Sequence, residues 1–129
     1  MKYITIIFCI FIFGCGHGFI ADKPFDRWTK EDTQRQLVYT AVHVVDWAQT
    51  VQISRDPVNY QEEGLLRAMA GNHPSESEVH QFFATTLLLQ TAIPAMLKPK
   101  YRKMWQYTWI GAEASNDIRN FSLGLHGEF

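Results

Sequence analysis

Apolar residues recur along most of this chain at helical rather than strand spacing. Between Lys30 and Ser54 they form two adjacent stripes, Leu37, Ala41, Val44, Ala48, Val51 and Val38, Val42, Val45, as one face of a helix does. The spacing predicts a first helix over Lys30–Ser54 with a broad buried apolar face. Thr29-Lys30-Glu31-Asp32 supplies a capping box at its start, and Asp56-Pro57 stops it because proline cannot continue a helix. Ser75-Glu76-Ser77-Glu78 is a second capping box and opens a second helix that runs to about Leu97, with Pro94 as a late kink. Pro99 then resets the chain. A third helix follows from Lys100 to Asn120, marked by Tyr101, Met104, Trp105, Thr108, Trp109, Ala112 and Ser115. The connection from Pro57 to Pro74 is irregular apart from one helical turn at Leu65 to Ala70. No strand-like alternation and no internal repeat appear, so the expected class is all-α, a small three-helix bundle or a hairpin plus a helix.

The first fifteen residues follow a different pattern. One lysine, Lys2, precedes an apolar run from Ile4 to Phe13, which is a signal-peptide core and too short to span a bilayer. It ends in Ile12-Phe13-Gly14-Cys15, which looks like a bacterial lipobox, with Cys15 as the residue that takes lipid. Phe13 is bulky for its place in that motif. The expected organisation is therefore a signal-peptide helix at 1–14, a lipid-anchored tether at 15–28, a helical domain at 29–122 and a glycine-containing tail at 123–129. Both cysteines, Cys9 and Cys15, fall in the export segment. The body thus has no thiol for a disulfide, a metal or a nucleophile.

Composition narrows the function. Of 129 residues, 47% are hydrophobic and only 19% charged, which excludes a disordered chain. The formal net charge of −1, with no basic face, excludes nucleic acid as a partner. The stretch from Phe82 to Leu97 carries no charge, and Lys98, Lys100, Arg102 and Lys103 follow it. That resembles a span with a basic cytoplasmic exit, so the second and third helices form an alternative integral hairpin. Asp46, Glu113 and Asp117 weigh against it, at about 2.5–3.5 kcal/mol for an Asp-like charge at depth. A lipid-tethered helical domain at the membrane surface is the favoured reading.

One polar constellation stands out. His43, Asp46 and Thr50 line one strip of the first helix at i, i+3 and i+7, with Gln36 and Tyr39 on the same side. Glu113, Asn116 and Asn120 repeat the spacing on the third helix. An antiparallel pairing of these helices would bring the strips together, and facing helices with such side chains are how bundles build metal sites. A divalent-metal or hydrolytic site would use His43, Asp46, Glu113 and one of His73 or His80. The opposing reading is a buried hydrogen-bonded pair linking helices. With no His-Glu-x-x-His and no His-x-His, the pattern favours the latter, and no metal, cofactor or catalytic residue is expected. Glu62-Glu63 reads as a solvated acidic turn, Ser75 and Ser77 as capping residues, and Trp47 and Trp109 as core.

A set of motifs also carries a resemblance. His43, Asp46, Gln49 and Thr50, then Glu62-Glu63, then Gly71-Asn72-His73-Pro74-Ser75, then Tyr101-Arg102-x-x-Trp105-Gln106, and finally Glu113 with Asn120-Phe121-Ser122-x-Gly124 resemble small uncharacterised proteins of bacteria and their phages. The match spans most of Leu37 to Gly124, but the Asn-Pro of the family's Glu-x-Asn-Pro turn is missing, with Glu63-Gly64-Leu65-Leu66 instead. The resemblance implies a helical, membrane-associated product, phage- or prophage-encoded, and brings no assigned activity. The expected function is a non-enzymatic cell-envelope lipoprotein facing the periplasm or the outside. Its expected partners are membrane lipid through Cys15 and an envelope or membrane protein. Gly16 after the cysteine gives no signal for inner-membrane retention, which favours the outer membrane of a Gram-negative cell.

Overall fold

The computed structural model describes residues 18–127 and 129. The expected signal peptide and Cys15, the expected lipid site, lie outside the described residues. Among the described residues four helices form, α1 (Lys30–Arg55), α2 (Gly64–Ala70), α3 (Glu76–Met96) and α4 (Pro99–Ser122), and the fold is all-α. Among the described residues no helix is long and apolar enough to cross a membrane.

Both capping boxes close. The Thr29 hydroxyl accepts from the Asp32 amide while the Asp32 carboxylate accepts from the Thr29 amide, and Ser75 and Glu78 repeat the exchange at α3. Ser75→Ala is expected to cost about 1 kcal/mol. The measurement is a urea unfolding curve, with the midpoint lowered and the slope unchanged.

The three long helices pack up, down, up. α3 returns along α1, as the contacts of Trp47 with His80, His43 with Thr86, and Gln36 with the Gln90 carbonyl show. α4 returns along α3, with Arg102 on the Pro94 carbonyl and Trp105 on Gln90. Two reversals restore the first direction, so α1 and α4 lie parallel. The expected antiparallel pairing of first and third helices is thereby corrected. Side-chain rungs join them: Asp32–Arg102, Gln36–Gln106 and His43–Glu113 share one register, and Asp46–Asn120 lies one turn further along α4.

The buried face of α1 also departs from expectation. Tyr39, His43, Asp46, Gln49 and Thr50 face inward, whereas Leu37, Val38, Ala41 and Val44 are exposed. The reason lies across the interface. The buried face of α4 is Arg102, Gln106, Glu113 and Asp117, so the polar strip of α1 is the complementary one, and an apolar stripe there would strand those groups without partners. Apolar packing concentrates at the far end of α1, where Val51, Leu66, Val79 and Phe83 form a cluster with Trp47, Ala70 and Phe82 against it.

Pro94 contributes a specific contact. It lacks an amide hydrogen, so the Gln90 carbonyl one turn earlier has no helical donor. That carbonyl accepts from Gln36 Nε2 at 3.2 Å instead.

Arg102 is fully buried, contrary to its expected place in a basic membrane flank. Its guanidinium donates to the carbonyls of Asp26, Pro94 and Leu97 and to the Asp32 carboxylate, and it lies over the Trp28 ring at 4.8 Å. Phe25 and Arg27 adopt left-handed backbone (φ 58 and 48), a sparsely used region for non-glycine residues, in the turn that brings Asp26 to this arginine. The segment read as a tether is therefore packed from Phe19 onward: Ile20 bridges to Leu97, and Ala21 and Phe25 donate to the carbonyls of Met96 and Ala95. The tail is docked too. Leu125 is fully buried and its carbonyl accepts from Gln49, while Gln52 accepts from the His126 and Gly127 amides. Gly127 has φ +82 and a Cβ there would meet that of Ala48 at 3.1 Å, so glycine is required on both counts.

Candidate functional site

The parallel register of α1 and α4 brings His43 against Glu113, one wall of a cleft of about 430 Å³. His43 is almost wholly buried. Its Nε2 lies 3.1 Å from the Phe83 carbonyl and 3.3 Å from the Thr86 hydroxyl, and its Nδ1 lies 2.9 Å from Glu113 Oε1 and 3.0 Å from the Tyr39 hydroxyl. A carbonyl can only accept, so Nε2 carries a hydrogen. The contact between Nδ1 and Glu113 then needs a second proton, held between imidazole and carboxyl. Stacking on Tyr39 and contact with Phe83 fix the ring plane.

Three further carboxyls surround this pair. Asp46, one turn along α1, accepts from Asn120 Nδ2 at 3.3 Å. Burial first, and then neighbouring Glu113, push its carboxyl up to about 9. Asp117, one turn along α4, is raised to about 6 by burial and by Glu113, with His43 opposing. Glu62 comes from the connection before α2, where its amide donates to the Asn72 carbonyl, and burial raises it to about 7. The acidic pair expected as a solvated turn is thus split, with Glu62 turned into the cleft and Glu63 paired at its rim with Arg119. Tyr39 is raised above its ordinary value by burial and by the charges of Glu113 and Asp46.

The structure unites His43, Asp46, Glu113, Asn116 and Asn120, all of which line the cleft. Thr50 is buried on α1 but not in the lining. His73 is exposed on the α2–α3 connection, and His80 accepts from Trp47 Nε1 and sits beside Glu76. Neither reaches the cleft, which corrects the four-ligand grouping of His43, Asp46 and Glu113 with a second histidine. Among the described residues no group of three or more His, Cys, Asp or Glu side chains has metal-holding geometry.

Tyr39, Glu62, Thr86 and Asp117 complete the polar surroundings of the pair. Tyr39 lay in the same helical strip and was legible. Glu62 and Thr86 arrive from other elements and had no local signal. No serine or cysteine is among the described residues lining the cleft, and the hydroxyls of Tyr39 and Thr86 are engaged with His43 and helix carbonyls. The arrangement can hold and exchange protons and accept hydrogen bonds; it presents no activated nucleophile.

Set against known protein families, curated proteins and solved structures, the chain has no match.

Proposed function

We propose that this protein is a non-enzymatic lipoprotein of the cell envelope, of phage or prophage origin, that is anchored through Cys15 and works by contact with membrane or envelope components. The observation that carries this reading joins the lipobox-like Ile12-Phe13-Gly14-Cys15 to the packing of the residues that follow it within the described structure. Phe19, Ile20 and Ala21 are bonded to the corner between α3 and α4. Four residues of chain reach at most about 14 Å, so lipid on Cys15 holds that corner close to the bilayer. The corner carries exposed Phe19, Phe25, Met96 and Met104 together with exposed Lys23, Lys100 and Lys103. Apolar side chains among lysines suit the headgroup region, where stems bury and ammonium groups stay wet.

Cys15→Ser tests the reading. Palmitate incorporation is expected to vanish and the protein to leave the membrane fraction. Unchanged labelling and sedimentation would sink the anchor, and a variant that resists carbonate extraction would mark an integral hairpin instead.

A further inference from the structure

The cleft between α1, α4 and the α2 side of the bundle contains an imbalance that the envelope reading does not use. Two of its lining carboxylates have a buried oxygen with no hydrogen-bond partner, Glu113 Oε2 and Glu62 Oε2. Glu113 is more than nine-tenths buried and its other oxygen is taken by His43. An ionised carboxyl only accepts; the protonated Asp46 carboxyl is a donor beside Glu113, whereas Glu62 Oε2 has none.

The charges that face the cleft sharpen this. α1 contributes His43 and Asp46, the connection contributes Glu62 and Glu63, and α4 contributes Glu113 and Arg119, with Asp117 behind. Arg119 is committed to Glu63 at the rim, and His43 is committed on both ring nitrogens. Leu66, Phe82, Phe83 and Trp109 add apolar surface to the lining. The volume lies in the range of small-molecule sites, about 300–1,000 Å³.

We infer that the cleft binds a ligand bearing an ammonium or guanidinium group on a short alkyl stem, with the cation donating to Glu113 and Glu62 beside Asp46 and the stem against Trp109. A neutral acceptor leaves the same oxygens unfilled. The cation has two sources, a free alkylamine or a Lys or Arg side chain of a protein partner, and the recognition chemistry is the same for both. Asp46 and Glu62 are raised by burial, so entry of a cation displaces protons from the cleft. The inference does not depend on lipid at Cys15 and stands or falls separately from the anchor.

The test is isothermal titration calorimetry on the full chain in non-ionic detergent. Putrescine and agmatine serve as free amines, N-acetyl-arginine amide as the side-chain source, and 1-butanol as a neutral stem. Saturable binding is expected for at least one cationic probe, with heats that differ between phosphate and Tris buffers because protons are released. Glu62→Gln, in the connection and outside the helix seam, is expected to weaken binding at least tenfold, and Glu113→Gln likewise. Asp22→Asn, exposed at the far end of the chain, leaves it unchanged. Tighter binding of the arginine amide assigns the cation to a protein partner, and tighter binding of agmatine or putrescine assigns it to a small amine. The inference is overturned if no cationic probe saturates up to about 10 mM, if 1-butanol binds as well, or if Glu62→Gln and Glu113→Gln both bind like the parent.

Discussion

Arg102→Met is expected to destabilise the bundle by about 3–5 kcal/mol, the usual cost of removing one partner from a buried ion pair. The methionine cannot donate, so it leaves the Asp26, Pro94 and Leu97 carbonyls without the guanidinium and Asp32 with Arg35 as its only paired cation. The loss reaches four parts of the fold at once: the segment before α1, the start of α1, the end of α3 and the start of α4. Arg102→Lys recovers little, because an ammonium has three donors and no planar fork. Lys103→Met, on the exposed neighbour, stays within about 0.5 kcal/mol. Urea unfolding followed by circular dichroism reads all three, and an Arg102→Met protein within about 1 kcal/mol of the parent would refute the assignment.

The second large effect concerns pH. A carboxyl whose pKa is raised by folding holds its proton more tightly in the native than in the unfolded chain. Stability then falls as pH climbs from the ordinary value to the native one. For Asp46 that window runs from 3.8 to about 9, for Glu62 from 4.5 to about 7, and for Asp117 from 3.8 to about 6. Asp32 has the opposite sign. Burial pushes it up, but the Thr29 amide and the guanidinium groups of Arg102 and Arg35 outweigh burial and hold it below 3.8. Its contribution is present above that value and is lost as pH falls through its lowered native value.

The melting temperature is therefore expected to peak near pH 4–5 and decline towards pH 9. Asp46→Asn keeps the acceptor for Asn120 and removes the proton uptake that folding demands at pH 8. One pKa unit is worth about 1.4 kcal/mol, and 1 kcal/mol moves the melting temperature of a domain this size by about 4 °C. Asp46→Asn should thus melt at least about 5 °C higher than the parent at pH 8 and alongside it at pH 4. Parallel pH profiles for the two proteins would refute the shift.

Helix number and boundaries were legible because they rest on local chemistry. Thr29 with Asp32 and Ser75 with Glu78 close their own caps, and Pro57 and Pro99 act within a residue or two. The strips His43, Asp46 and Glu113, Asn116, Asn120 were legible as faces for the same reason. Which face goes inward was not. It depends on what lies across the interface, and Leu37 and Val44 lost their expected burial to a polar strip whose partners are seventy residues away. Helix direction followed from counting reversals, which the spacing of side chains does not encode. Arg102 and Glu62 were misplaced because a charged residue among lysines or beside a second glutamate looks solvated until distant carbonyls and walls close around it.

The rungs between α1 and α4 bear on how this bundle can move. Apolar faces tolerate sliding, since one methyl group packs against another much as its neighbour did. A slip of one helical turn, about 5.4 Å, would here pull Asp32–Arg102, Gln36–Gln106, His43–Glu113 and Asp46–Asn120 apart together. Piston motion of one helix along the other thus costs several polar contacts at once. A change in tilt, in protonation or in what fills the cleft leaves those rungs in place.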